Sequence, residues 1–451
     1  MLANQLRRTF AASVGTPPAL MTTLGNGLRV VTQRVAGNDR TASINVVTAT
    51  GTRYEDESNN GASHYLEHMF FKGTATRPRT TLEQEVENMG GHLNAFTSRE
   101  YCCYSIDVFQ KDAAKGLNIL GDILQNSVLD PKLIEYERET IRREMEFTDQ
   151  DMTEYVYDYL HGSAYADQPL GYNILGTEES LANMNHNVLK AFLQKHYTAD
   201  RMAIVATGAV DHDELVKAVE AEFGGMAAGP GNIAMAKAKW IGSDVREINE
   251  DMPLAYTGSA MEGPGAAHAD TIPLYVLQSI LGSFDAAAPH SDHLASKLVS
   301  SVRDLNMGVK SLQTFFIPYS DTSLFGVQYV AEPEHLSNIQ LTVQEELVRS
   351  CSQITENDVT RGVSAFKAAF AAQTATTNGL ADVLGQNVML LGRTVPFGEI
   401  EARLAEVTPA TVQDAANRYL YDREIVSAAV GPVQTFPEYN RLRGWTYSLL
   451  S

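Results

Sequence analysis

Two stretches of this chain, half its length apart, spell the same local structure. Residues 180–210 read "SLANMNHNVLKAFLQKHYTADRMAIVATGAV" and residues 403–433 read "RLAEVTPATVQDAANRYLYDREIVSAAVGPV". Leu181-Ala182 answer to Leu404-Ala405, and Asp200-Arg201 to Asp422-Arg423 with one gap; Gly208 and Val210 answer to Gly431 and Val433. Each copy has the pattern of an amphipathic helix, a short turn and a β-strand that ends at glycine. An offset of 223 residues in a chain of 451 is far beyond a solenoid period and implies a duplicated domain. Strand patterns stand at "RVVTQRV" and "ASINVVTAT" in the first half and at "LAYTGSAMEG" in the second, with helical runs around 113–128, 131–160 and 188–197. The fold class is therefore α+β: two homologous α/β halves, 20–223 and 233–451, each a mainly antiparallel sheet with helices packed on one face. Residues 224–232, in "FGGMAAGPGN", have linker composition.

Composition narrows the function. Hydrophobic residues make up 44% and charged residues 20%, ample for a core in each half. No apolar run approaches the ~18 residues of a membrane span. The three cysteines, Cys102, Cys103 and Cys351, form neither a disulfide framework nor a thiolate zinc site, so any metal has to sit on histidine and carboxylate. A net charge of −20 argues against nucleic acid and favours basic partners. The first 38 residues break that balance, because the first acid is Asp39. Leu2, Leu6 and Phe10 share a helical face beside Arg7 and Arg8, which makes 1–19 a mitochondrial targeting segment.

The chemistry concentrates in "HYLEHMFFKG" (64–73). On a helix His64 and His68 fall on one face and offer two imidazoles to one ion, with Glu67 beside them. This is the inverted form of the commoner His-Glu-x-x-His pattern. The loop "DESNNG" (56–61) starts that helix, with Ser58, Asn59 and Asn60 as cap candidates. A third ligand is available on the acidic run 133–162, where Glu137 and Glu144 stand seven residues apart on one face.

The texts "GASHYLEHMFFKGTATRP", "MGGHLNAFTSRE" and "ERETIRREMEF" resemble the inverted-motif zinc peptidases of the pitrilysin type. They are closest to the branch that comprises the mitochondrial presequence peptidases and the core subunits of the cytochrome bc1 complex. The likeness runs through "SAYADQPLG", "GAVDHDEL" and the ending "VGPVQTFPEYNRLRG". It implies that His64, His68 and Glu144 ligate Zn2+, that Glu67 is the general base toward the attacking water, and that Glu137 supports the site. It further implies that Asn94 and Ala95 lie on an edge strand that pairs with the substrate backbone. Phe71 would line the pocket after the scissile bond, and Glu154 and Asp158 would receive a presequence arginine. The C-terminal half is implied to be non-catalytic and carries no His-x-x-Glu-His; His290 and His293 lack the glutamate that should follow. "DAAAPHSD" (285–292) and "EYCCYS" (100–105) depart from the family's usual text, and the Gly-rich substrate loop of the α-type subunit has no counterpart.

Two functions follow from the resemblance. One is a zinc metalloendopeptidase subunit that removes N-terminal presequences from imported mitochondrial proteins, with or without a second role as core subunit 1 of complex III. The other is a purely structural core subunit. The implied partners are an α-type peptidase subunit or core protein 2 and basic presequence peptides. In the respiratory setting cytochrome b, cytochrome c1 and the iron–sulfur subunit join them. The implied place is the matrix side of the mitochondrion, soluble or peripheral on the inner membrane. If Glu154 and Asp158 serve the site, a straight helix carries them about 15–21 Å along the axis from Glu144, so either an interruption near 148–152 or acids that border the cleft obliquely are expected.

Overall fold

The computed structural model describes residues 17–148, 151–229, 233, 235–288, 296–304 and 308–449. Most of the targeting segment, residues 230–232 of the linker, and His290 and His293 lie outside the described residues. Two six-stranded sheets form the framework. The first takes β1 (Leu20–Thr23), β2 (Arg29–Arg34), β3 (Thr41–Thr48), β4 (His92–Thr97), β5 (Cys102–Phe109) and β6 (Met202–Gly208), in the order β1-β2-β6-β3-β5-β4. The second takes β7 (Ser243–Ile248), β8 (Ala255–Pro264), β9 (Ser283–Asp285), β10 (Val309–Pro318), β11 (Thr322–Ala331) and β12 (Ile425–Gly431), in the order β7-β12-β8-β11-β10-β9.

The duplication is visible strand by strand. β2-β6-β3-β5-β4 and β7-β12-β8-β11-β10 share one pattern: the first pair parallel, every later pair antiparallel. The repeated strand segments become β6 and β12, second in each run. Gly208 and Gly431 close them at φ 97° and 105°, left-handed values that favour glycine over any residue with a Cβ.

The chain divides into two compact units that are discontinuous in sequence. The first gathers the segment up to Met145 with Tyr172–Ala236 and Ala369–Ile400; the second gathers Glu146–Gly171, Lys237–Ala368 and Glu401–Ser451. Successive strand residues point to opposite faces, and β3 is buried on both. On one face Ala42, Ile44 and Val46 pack with Tyr65, Phe70, Leu117 and Leu120 in the main core of the first unit. On the other, Val47 packs with Val31, Val205, Ala381, Leu384 and Val388, the last three from the late helix Thr377–Leu391. That helix comes close because Gly385 has no side chain: a Cβ there would sit 2.8 Å from Val47 Cγ2. The second unit receives an early helix in return. Met152–Ala164 lays Val156, Leu160 and Ala164 against Ala260, Val426, Ala428 and Val430. The expected helical layer on one face is thus joined by a helix on the opposite face of each sheet.

The acidic run forms not one helix but two, Pro131–Thr148 and Met152–Ala164. Asp151 caps the second, its side chain accepting from the N–H groups of Thr153 (3.1 Å) and Glu154 (3.4 Å). Among the described residues no helix is long and apolar enough to cross a membrane.

Candidate metal centre

The short helix Ala62–Phe70 carries His64, Glu67 and His68, and its start is fixed from an unexpected direction. Gly61 is the N-cap at φ 87°, where a Cβ would lie 2.8 Å from the carbonyl oxygen of Leu175. No cap-residue side chain bonds the first turn, so Ser58, Asn59 and Asn60 do not supply the cap. The buried carboxylate of Glu55 does. Its Oε2 accepts from Gly61 N–H (2.8 Å) and Asn60 Nδ2 (3.0 Å), and its Oε1 accepts from Ser63 N–H (2.8 Å). Burial raises this carboxyl above its ordinary pKa, while the bonds from Ser63, Gly61 and Asn60 favour the charged form. An anion at the positive end of a helix, with the orphan N–H groups satisfied, anchors the turn from which His64 projects.

One helical turn places the imidazoles of His64 and His68 edge to face, with ring centroids 4.7 Å apart. Glu144 reaches them from Pro131–Thr148: its Oε2 lies 3.4 Å from His64 Nε2 and 3.1 Å from His68 Nε2. These are the only three His, Cys, Asp or Glu side chains among the described residues that could hold a metal ion together, their ligand atoms lying within 4.8 Å of one another. Ligands about 2.0–2.2 Å from a tetrahedral zinc stand roughly 3.3–3.6 Å apart, and the two separations from Glu144 Oε2 lie near that range. His64 Nε2 is buried, and the polar atom beside it is Glu144 Oε2. Hydrogen bonds with His64 and then His68 hold the Glu144 carboxyl far below the usual carboxylate range, against the effect of partial burial. Burial disfavours charge on His68, but the bonds to Glu144 and Glu137 outweigh it and its pKa is raised.

Glu137, one turn pair before Glu144, is 1% exposed. Its Oε2 lies 3.2 Å from His68 Nδ1 and its Oε1 2.7 Å from Lys72 Nζ. A carboxylate on Nδ1 fixes the tautomer whose Nε2 faces the ligand position. Lys72, one turn past His68, neutralises that buried carboxylate. The half-buried Glu67 is held from the strand side, its Oε2 accepting from Thr97 Oγ1 at 2.6 Å. Thr97 ends β4, the outermost strand of the first sheet, which pairs only with β5 among the described residues. Asn94 and Ala95 lie in that strand, Asn94 exposed and Ala95 turned to the core. Phe71 ends the metal helix and packs against the same core. Glu154 and Asp158 stand one turn apart on Met152–Ala164, a helix of the second unit.

Glu55, Lys72 and Thr97 carry no motif signal. Each matters through a contact with an element distant in sequence or outside the helical repeat. Only the capping logic, which asks what satisfies the first turn of a glycine-started helix, points toward a nearby acid such as Glu55.

The family description "Insulinase (Peptidase family M16)" matches residues 29–178, the part that contains His64, His68 and Glu144, and "Peptidase M16 inactive domain" matches residues 183–366. The mitochondrial-processing peptidase subunit beta of Blastocladiella emersonii is 40% identical over 433 residues, 96% of this chain and 92% of that one. The mitochondrial cytochrome b-c1 complex subunit 1 of Mus musculus is 36% identical over 448 residues, 98% and 92% of the two chains. In fold, a chain of complex III2 from Candida albicans with Inz-5 bound superposes at a TM-score of 0.86 and 24% identity, covering 95% of this chain and 99% of that one. The two family matches, and relatives aligned over nearly their whole length, show that this chain belongs to peptidase family M16, the insulinase family.

Proposed function

We propose that this chain is the catalytic subunit of a zinc endopeptidase that removes basic N-terminal presequences inside mitochondria, working with an α-type partner. The observation that carries this reading is the convergence of His64, His68 and Glu144, whose ligand atoms lie within 4.8 Å of one another. A purely structural subunit has no physical need to gather two imidazoles and a carboxylate at one point. Similarity to mitochondrial-processing peptidase subunit beta supports the presequence as substrate and the mitochondrion as the place.

His64, His68 and Glu144 would hold the ion, and Glu137 would fix the His68 tautomer while Lys72 balances its charge. When bound, zinc would acidify the attacking water and polarise the scissile carbonyl. Glu67 takes a proton from that water and delivers it to the leaving amine; it needs hydrogen-bond reach and no contact with the metal. The open edge of β4 around Asn94 and Ala95 offers backbone groups to an extended peptide, in the mode of strand addition. Phe71 would meet the residue after the cut. Glu154 and Asp158 would pair with an arginine before it, two carboxylates suiting a guanidinium fork.

The same chain, through its similarity to cytochrome b-c1 complex subunit 1, also fits core subunit 1 of complex III, with core protein 2 as partner. The deciding experiment co-expresses this chain with an α-type partner, loads zinc and follows cleavage of a presequence peptide. Cleavage that Glu67→Gln abolishes while zinc stays bound supports the peptidase. No cleavage by the zinc-loaded pair, with the chain recovered from mitochondria only alongside cytochromes b and c1, leaves the structural role.

A further inference from the structure

The contact between Thr97 and Glu67 joins two parts of the site that sequence keeps 30 residues apart. Leu93, Ala95 and Thr97 share one face of β4; Leu93 and Ala95 pack into the core of the first unit, which turns Thr97 inward toward the metal helix. Its hydroxyl donates to Glu67 Oε2 at 2.6 Å, the short separation of a charge-assisted O–H···O− bond. Its oxygen in turn receives the thiol of Cys102 at 3.4 Å, a fully buried residue and its cross-strand neighbour in β5. With Cys102 supplying a hydrogen from behind, the Thr97 O–H is directed to the carboxylate.

We infer that Thr97 is a positioning residue for the general base: it claims Oε2 of Glu67, leaves Oε1 as the oxygen that takes the proton, and ties the base to the strand on which a peptide would dock. The inference rests on the peptidase reading for its catalytic meaning and on the structure alone for the contact. A freely rotating Glu67 would present either oxygen at varying distance from the water, and small misplacements of a reacting group are costly: about 1 Å can forfeit about a hundredfold in rate. Because the tether is the last residue of β4, a peptide that takes its register from this strand takes it relative to the base as well. The Thr97 hydroxyl bonds Glu67 and Cys102, neither of which is among the three candidate ligands, so its loss leaves metal binding intact.

The test uses the full chain with its α-type partner and zinc. Thr97→Val keeps the shape and removes the hydroxyl. It should lower kcat by about ten- to a hundredfold, with KM within about twofold of wild type and zinc content unchanged. Thr97→Ser restores a hydroxyl on the same strand and should recover kcat to within about threefold of wild type. A Thr97→Val enzyme with wild-type kcat, or one whose loss lies in KM or in zinc content, overturns the inference. So does a Thr97→Ser enzyme as impaired as the valine variant. A second measurement stands apart from turnover: denaturation of the zinc-free full chain as wild type, Thr97→Val, Glu67→Ala and the double variant. The contact predicts that the double variant is hardly weaker than the worse single one, and strict additivity overturns it. If the zinc-loaded wild-type complex cleaves nothing, the peptidase reading falls, while this cycle still decides the tether.

Discussion

The two sheets share a five-strand plan and differ at one edge. In the first, the outer side of β4 pairs with no strand among the described residues. In the second, the equivalent strand β10 is covered: Ser311, Leu312 and Gln313 pair with Asp285, Phe284 and Ser283 of β9. The helix that follows the third strand of each plan differs in step. After β3 comes Ala62–Phe70 with two histidines and a glutamate; after β8 comes Thr271–Leu281, "TIPLYVLQSIL", with no histidine, acid or cation. Duplication therefore supplied one scaffold twice, and the candidate ligands and the open edge occur on the same copy. A peptide strand cannot add where β9 already pairs with β10, and Thr271–Leu281 offers no histidine or acid to an ion, so the second copy lacks both features of the first at these places.

The largest effect that could break this contrast concerns the metal. Stoichiometric zinc should disappear from His64→Ala, because two ligands of a three-ligand site remain and one of them, Glu144, is partly exposed. Replacing His268 and His335, both in the second unit, should leave zinc content unchanged. Metal analysis after gel filtration checks both; zinc retained by His64→Ala would place the ion elsewhere and end the asymmetry.

Next in size is the clamp at the helix start. Glu55→Ala strands the N–H groups of Gly61 and Ser63 and removes one of two acceptors of the Asn60 amide, which keeps the carbonyl oxygen of Asn173. At about 1–3 kcal/mol per abandoned buried donor, with water recovering part, the expected loss is about 3 kcal/mol, and about half of that for Glu55→Gln. The apolar helix of the second unit has no such device: its N-cap Asp270 makes no side-chain cap bond and instead pairs with Arg418 near the surface. Asp270→Asn should cost under about 1 kcal/mol. Urea midpoints for the three variants test this order, and equal losses would mean that Glu55 is an ordinary buried acid.

This clamp also marks where sequence stops speaking. Periodicities of 3.6 and 2 are local, so the metal helix, the acidic helix and the strands β2, β3 and β8 are legible as patterns. His64 and His68 announce themselves because a helix brings i and i+4 together. Glu144 is one acid among nine between Glu135 and Asp158, and only the resemblance singles it out. Glu55, Thr97 and the Lys72–Glu137 pair act between elements, at separations that no period encodes. The exchange of Thr377–Leu391 for Met152–Ala164 is invisible for the same reason: each is an ordinary amphipathic helix until the sheet it covers is known. The break after Thr148 was inferable from reach, and its cap, Asp151, from residue type.

A smaller effect sharpens the edge comparison. With Glu67→Gln to prevent turnover, a bound presequence peptide should slow amide exchange along 92–97 several-fold, as strand addition contributes about 0.5–1.5 kcal/mol per hydrogen bond. Amides of 311–313, flanked by β9 and β11, should exchange at the same rate with or without peptide. Protection that appears on β10 instead, or on neither strand, would detach the open edge from substrate binding.

The smallest effect is a pH dependence of opposite sign with and without zinc. In the zinc-free chain His68 is raised above 6.5 because its bonds to Glu144 and Glu137 outweigh burial, and Glu144 is held far below 4.5 by His64 and His68. The raised histidine contributes stability that is full below its unfolded value and lost as pH rises through its folded one. The depressed glutamate contributes stability present above its unfolded value and lost as pH falls through its folded one. Together they favour the zinc-free chain between the ordinary glutamate value and the raised histidine value, and the advantage fades on the alkaline side. Because the Glu144 side chain is 41% exposed, solvent screening keeps the amount under about 1 kcal/mol. Zinc reverses the slope, since it needs the imidazoles neutral and competes with protons for them, so the loaded chain gains where the empty one loses. The measurement is the difference in urea midpoint between wild type and Glu144→Gln, followed from acid to mildly alkaline pH with chelator and then with zinc. Parallel curves in the two conditions would mean that the histidines and Glu144 pair with each other and meet no metal, and the contrast between the two units would then rest on the open edge alone.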